Sequence, residues 1–150
     1  MRPSWDEYFL RVAREVSDMG TCLRKQVGCV LVSDRRIIAT GFNGSLPGQP
    51  HCIDVGCDID PSTRGCRRTI HAEVNAIIQC AKHGISTRGV SAFVTLSPCE
   101  NCLRFLIMSG VQRVCFQEEY RVPPNYYLAK SCGVLLEPVS KKQQIELDEL

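Results

Sequence analysis

The sequence predicts an α/β domain with a mixed sheet covered by helices. Three observations lead there. After an opening hairpin signal, short apolar runs with strand character alternate with segments of helical period. Glycines stand where the helical segments should stop, at Gly84, Gly110 and Gly133. The 150 residues are the usual size of one domain with its own core, so residues 1–150 are expected to form a single unit.

The elements follow in order. Trp5 to Val16 places Tyr8/Phe9, Val12/Ala13 and Val16 on one side at helical spacing, a first amphipathic helix. Val27 to Val32 is an apolar, β-branched run. Ser33-Asp34-Arg35 supplies a turn, and Ile37 to Phe42 is a second run, so the pair reads as a hairpin. Gly41-Phe42-Asn43-Gly44 ends it with residues suited to sharp turns. Asn43 to Thr69 has no clear period and contains a Cys-rich insertion at about 45–68; a loop this long is usually functional or pinned by something. His71 to His83 reads as a helix, with Ala72, Ala76, Ile77, Cys80 and Ala81 able to share a face. Val90 to Leu96 is a strand, Cys99 to Ser109 a helix and Val111 to Phe116 a strand. Asn125 to Lys130 is a short helix and Val134 to Leu136 a last short strand. The polar tail from Ser140 can form a helix.

Composition removes several function classes. Hydrophobic residues make up 44% and charged residues 23%, the balance of an ordinary soluble protein. A net charge of +2 is too weak for a nucleic-acid footprint, and short basic runs such as Arg35-Arg36, Arg67-Arg68 and Lys141-Lys142 read as solvated surface. No apolar stretch approaches the length of a membrane span, and Met1 to Tyr8 lacks a signal-peptide core, so the expected location is the cytoplasm, or a host cytoplasm for a phage protein. Thiols stay reduced there, and the ten cysteines therefore read as metal ligands, catalytic groups or core residues, not disulfides.

The chemistry lies in His71-Ala72-Glu73 and Pro98-Cys99-Glu100-Asn101-Cys102. Cys99 and Cys102 are spaced so that both thiolates can meet one ion at a helix N-terminus, where the helix dipole favours thiolate over thiol. If the two helix starts face each other, the His71 imidazole completes a three-ligand zinc site with one open position. Glu73, two residues from His71, need not bind the metal. Zinc acidifies a bound water toward neutrality. Glu73 can take a proton from that water, pass it to N3 of a cytosine ring attacked at C4, and assist the departure of ammonia. Alone, Cys-x-x-Cys also fits a structural zinc knuckle, and His-x-Glu carries little information. Together, in this order and with Pro98 before the first cysteine, they match the zinc-deaminase signature.

From these motifs outward the chain resembles the deoxycytidylate (dCMP) deaminases of the cytidine deaminase superfamily, in their bacterial and phage forms. Gln26-Val27-Gly28-Cys29, Ile38 to Gly44, Thr69 to Ile77, Val94 to Cys99 and Glu119-Tyr120-Arg121 all carry the resemblance, which extends from about Trp5 to Leu136. It implies a three-layer α-β-α domain with a central mixed five-stranded sheet. The implied activity is hydrolysis of dCMP to dUMP, feeding thymidylate synthesis, in a homohexamer activated by dCTP and inhibited by dTTP. Mg2+ can accompany such a triphosphate effector. Asn43 would bond the sugar or base, Ala72 would offer its backbone N–H to the cytosine carbonyl, and Ser97 joins the substrate-binding set. Arg24 and Arg121 are the candidates for the phosphate, which a guanidinium grips with two parallel bonds; Tyr120 can add a hydroxyl donor. Effectors would bind near Phe42 and Gly44. The family loop usually carries Tyr where this chain has Phe42, which removes a hydroxyl and can alter regulation.

Cys22, Cys52, Cys57 and Cys66 remain. Phage relatives carry a cysteine at the position of Cys22 that joins a second zinc, and four thiolates would close a structural site and pin the long loop. His51 is an alternative ligand for any one of them, and four unpaired thiols are the plain alternative. Cys29, Cys80, Cys115 and Cys132 fall within expected strands or helices and read as small core residues. His83 ends a helix and is expected to be exposed. Competing readings are a deaminase of free cytidine, of tRNA adenosine or of a pterin-like ring, a zinc-stabilised binding module without catalysis, and a regulatory pseudo-enzyme. The low charge disfavours a nucleic-acid substrate; the intact Glu73 disfavours the non-catalytic readings.

Overall fold

The computed structural model describes residues 1–139, 143 and 147–149, so most of the tail where a helix was expected lies outside the described residues. Helix α1, Trp5–Ser17, opens with a capping box: Ser4 Oγ accepts from the Glu7 N–H while the Glu7 carboxylate accepts from the Ser4 N–H. Strands β1 (Gly28–Ser33) and β2 (Arg36–Phe42) form the expected hairpin. Its two central residues, Asp34 and Arg35, have φ of 48° and 58°. That left-handed pair supplies the twist a two-residue hairpin turn needs.

The Cys-rich stretch is more ordered than its sequence implies. It contains the two-residue strand β3 (Gly44–Ser45), the four-residue helix α2 (Cys52–Val55) and strand β4 (Thr69–Ile70), with β3 and β4 paired antiparallel. An isolated bridge joins Ile59 to Cys66. These elements are too short to leave a periodic signal.

Helix α3 (Ala72–His83) ends at Gly84 in the left-handed conformation, φ 67°. Strand β5 (Ser91–Leu96), helix α4 (Glu100–Met108), strand β6 (Arg113–Glu118), helix α5 (Tyr126–Ser131) and strand β7 (Leu135–Pro138) complete the described chain. Strand β6 begins two residues later than expected. Val111 instead donates back to the Leu106 carbonyl as α4 terminates around Gly110, φ 88°.

The main sheet has the order β2-β1-β5-β6-β7. Pairs β1/β2 and β1/β5 are antiparallel, and β5/β6 and β6/β7 parallel, which gives the expected mixed five-stranded sheet. Alternation along β1 divides the core in two. Cys29 and Leu31 face a cluster with Ala76, Leu103 and Leu106 of α3 and α4; Val30 and Val32 face one with Phe9, Leu10 and Ala13 of α1. Helices thus cover both faces. Cys29, Cys80 and Cys115 are buried as expected, but Cys132 is exposed, because it caps α5 beyond the last buried turn. His83 is exposed. Among the described residues no helix is long and apolar enough to cross a membrane.

Arg113 fastens α1 to the sheet. It donates two parallel bonds to Asp6, at 2.8 and 2.7 Å, and one to Glu137 at 2.8 Å. Both carboxylates hold its guanidinium more firmly protonated than usual, Asp6 foremost. Arg113→Met should therefore destabilise the protein by about 1–2 kcal/mol once solvent screening is allowed for, with Asp6→Asn costing less. Urea denaturation of both variants beside the wild type measures the difference.

Candidate active site

Two helix starts build the site. His71 is the N-cap of α3, delivered by β4, and Cys99 is the N-cap of α4, delivered by β5 through Ser97 and Pro98. Neither side chain makes the usual capping bond to its own helix. They turn toward each other instead, and Cys102 in the first turn of α4 joins them. His71 Nδ1 lies 3.3 Å from Cys102 Sγ and 3.7 Å from Cys99 Sγ. The three ligand atoms all fall within 4.8 Å of one another. One imidazole nitrogen and two sulfurs at this spacing fit a tetrahedral zinc that keeps one position open.

The electrostatics suit a cation. A hydrogen bond from Cys102 and another from His71 pull the Cys99 thiol down to about 4. The same bond, seen from Cys102, and the burial of that residue push its thiol up. The His71 imidazolium is favoured by its bond to Cys99, against the cost of its burial. Glu73, on the first turn of α3, is only 3% exposed. Burial raises its carboxyl above the usual range, opposed by a hydrogen bond from Cys102 and by His71. A carboxyl raised in this way is suited to both accepting and returning a proton.

The residues expected on the nucleotide side are ordered, and several are held by backbone. Asn43, 7% exposed, accepts from the Val27 N–H at 2.8 Å and donates to the Lys25 carbonyl at 2.7 Å. An amide has two N–H donors and an oxygen with two lone pairs, so one donor and one lone pair remain. Ser97, 3% exposed, accepts the Tyr120 N–H at 2.6 Å, and its own N–H bonds the Glu118 carbonyl at 2.8 Å. It therefore secures the start of the Tyr120 loop. Ala72 is buried in the first turn of α3, where helical N–H groups lack intrahelical partners. The structure does not bring Arg24 or Arg121 to the three ligands. Arg24 is exposed and donates to the Arg64 carbonyl at 2.6 Å, and the Arg121 guanidinium lies 5.2 Å from the centre of the Tyr120 ring. An exposed ion pair, Lys25 to Glu118 at 3.0 Å, links the segment that carries Arg24 to the strand that leads to Tyr120. Sequence spacing gave no sign of this pair, whose partners are far apart along the chain. Phe42 and Gly44 are in contact: a Cβ at Gly44 would stand 3.1 Å from the Phe42 ring. Phe42 also lines a 340 Å³ pocket between β2 and α3, together with Thr40, Asn75, Gln79 and His83.

In the Cys-rich stretch, the sulfurs of Cys52, Cys57 and Cys66 lie within 4.8 Å of one another, with Cys52 and Cys66 3.6 Å apart. Cys22 is not in this group. Burial and the bond to Cys66 push the Cys52 thiol up to about 12. Cys66, despite its burial, is brought down to about 7 by backbone N–H groups of Arg68 and Asp58 and by Cys52. The His51 Nδ1 atom is buried without a hydrogen-bond partner. All ten cysteines are free.

This arrangement has close parallels among known proteins. The model of the cytidine and deoxycytidylate deaminase zinc-binding region matches residues 3–118. "ComE operon protein 2" of Bacillus subtilis is 42% identical, over 99% of this chain and 75% of its own length. The deoxycytidylate deaminase of Mycobacterium phage D29 is 33% identical, over 79% of this chain and 98% of its own. Among solved structures, the dCMP deaminase of cyanophage S-TIM5 in complex with dCMP and dUMP is 29% identical. It superposes with a TM-score of 0.80, over 93% of this chain and 99% of that one. The match to the family model spans both helix starts and Glu73, and the chain belongs to the cytidine and deoxycytidylate deaminase zinc-binding family.

Proposed function

We propose that this protein hydrolyses dCMP to dUMP and ammonia. One observation carries the reading: His71, Cys99 and Cys102 converge on one point beside the buried carboxyl of Glu73. The named relatives and the dCMP and dUMP complex of the cyanophage enzyme support the choice of substrate.

His71, Cys99 and Cys102 would hold one zinc, which when bound supplies a Lewis acid that acidifies water toward neutral pH. Glu73 takes a proton from the attacking water and delivers it to N3 of the ring. It then assists the departure of ammonia from C4. Its burial keeps it from bulk water, so the proton stays within the site. The Ala72 N–H meets the cytosine carbonyl, and the unused donor of Asn43 is available to the sugar or base. Arg24 and Arg121, with Tyr120, are the groups for the 5′-phosphate, reached by reorienting exposed side chains. Ser97 acts through the Tyr120 loop that it secures.

The same reading extends to regulation and assembly. A homohexamer in the cytoplasm, or in a host cytoplasm, would supply dUMP for thymidylate synthesis, with dCTP as activator and dTTP as inhibitor. Effectors would bind beside Phe42 and Gly44, Mg2+ accompanying the triphosphate. The pocket lined by Phe42 supports that location. A second, structural zinc would be held by Cys52, Cys57 and Cys66, with Cys22 or His51 as the fourth ligand; the three gathered sulfurs support it.

Three outcomes test the proposal. Glu73→Gln should retain zinc and lose turnover by about 10²–10⁴-fold, the scale of general acid–base catalysis; full activity in that variant would remove Glu73 from the chemistry. Metal analysis of purified protein should give two zinc ions per chain, and a value of one would eliminate the Cys-rich site. An ammonia-release assay with dCMP, dCTP, cytidine and a tRNA, each with and without added dCTP or dTTP, should show preference for dCMP. Equal turnover of cytidine would contradict the phosphate-binding residues.

A further inference from the structure

Asn75 lies on α3 two residues beyond Glu73. Its backbone N–H bonds the His71 carbonyl at 2.9 Å and closes the first turn of the helix on that residue. Its side chain reaches out of the helix: Nδ2 donates to the Phe42 carbonyl at 2.6 Å. Phe42 is the last residue of β2, and Asn43 follows it. Asn43 makes four bonds to the stretch before β1. Its N–H donates to the Val27 carbonyl at 3.3 Å, and its carbonyl accepts from the Thr21 N–H at 3.0 Å. Its side chain accepts from the Val27 N–H at 2.8 Å and donates to the Lys25 carbonyl at 2.7 Å.

The stretch from Gly20 to Val27 has no helix or strand of its own. Its position is therefore set by the bonds it makes elsewhere, and Asn43 supplies four of them. Gly20 fits closely against the same amide, since a Cβ there would stand 2.7 Å from Asn43 Oδ1. This stretch carries Arg24, and the Lys25–Glu118 pair connects it to the opposite side, where Tyr120 and Arg121 lie. One amide on α3 is thus joined, through a strand end and one asparagine, to the segment that carries Arg24.

We propose that Asn75 is a positioning residue for the nucleotide, holding the Phe42 carbonyl so that Asn43 and the 20–27 segment stand in register with the helix that bears His71 and Glu73. The inference rests on the dCMP reading for the identity of the ligand, and on hydrogen bonding alone for the relay. Asn75 does not touch the reacting atoms. Its loss should therefore weaken the grip on the nucleotide more than the chemical step.

The test uses zinc-loaded Asn75→Ala and Asn75→Asp. The second keeps the size of the side chain but sets an oxygen against the Phe42 carbonyl, so it carries the test if the alanine variant fails to fold. Amide hydrogen exchange should become about ten-fold faster at Thr21 and Val27 while the amides of α3 keep their protection; a hydrogen bond to a neutral partner has a net worth equivalent to about five- to ten-fold in an equilibrium. KM for dCMP should rise by a similar factor, with kcat within about two-fold and zinc content unchanged. The rise should be smaller for deoxycytidine, which lacks the phosphate that Arg24 would meet. Unchanged exchange at Thr21 and Val27 would overturn the relay. A fall in kcat at constant KM would overturn it too, by assigning Asn75 to the geometry of Glu73 and the metal ligands. Failure of the wild type to act on dCMP would overturn the functional reading and not the relay, which the exchange measurement decides by itself.

Discussion

Two helix N-termini face each other in this protein, and most of the structure serves to keep them there. Each helix start carries a partial positive charge of roughly half a proton, so their approach is unfavourable unless negative charge lies between them. Cys99 is the group suited to provide it, since hydrogen bonds from Cys102 and His71 favour its thiolate. A doubly charged cation held by His71, Cys99 and Cys102 would let Cys102 ionise as well. The strands act as rails for this encounter. β4 leads into His71 and β5 into Cys99, while the parallel pairing of β5 with β6 brings Ser97 and Tyr120 together just past the ends of both strands. Sites at the carboxyl ends of parallel strands are where α/β sheets commonly bind ligands.

The segments around Asn43 and Ser97 are built differently. No regular element holds residues 20–27 or the approach to Tyr120. They are secured by side chains that bond backbone: Asn43, Ser97, and Gln26, whose amide donates to the Gly20 carbonyl at 2.8 Å. Such bonds fix direction as well as distance, and a buried carbonyl or N–H left without a partner costs more than the bond itself gains. The division of labour is physical. The side with His71, Cys99 and Cys102 rests on helix caps, and the side with Asn43 and Ser97 rests on individual amides and one hydroxyl.

That division also explains what could be read from the sequence. The ligands and Glu73 lie in short local motifs, so spacing alone brought His71, Glu73, Cys99 and Cys102 into view. The sheet was legible for a similar reason, because β1, β5 and β6 are long enough to show their apolar character. Asn43 and Ser97 stand out in the sequence as candidate site residues, but their backbone partners do not, since Val27 and Tyr120 become their neighbours only after folding. The Cys-rich stretch hid its structure because its elements run from two to four residues. There the structure gathers three of four cysteines and leaves Cys22 apart. Cys132 reads as core in the sequence but is exposed, because its helix stops one residue before it.

Gly41 shows how far the demands of the site extend through the chain. A Cβ at this position would lie 2.3 Å from the Ala72 carbonyl oxygen and 2.5 Å from the Ala76 nitrogen, both of them backbone. Strand β2 therefore rests directly on the first turns of α3, with no side chain as a spacer. A side chain at position 41 would therefore force the strand off the helix. Thr40, the preceding residue on the same strand, is exposed. Adjacent residues thus differ sharply in the side chains they can carry, and the constraint on one of them comes from the start of α3.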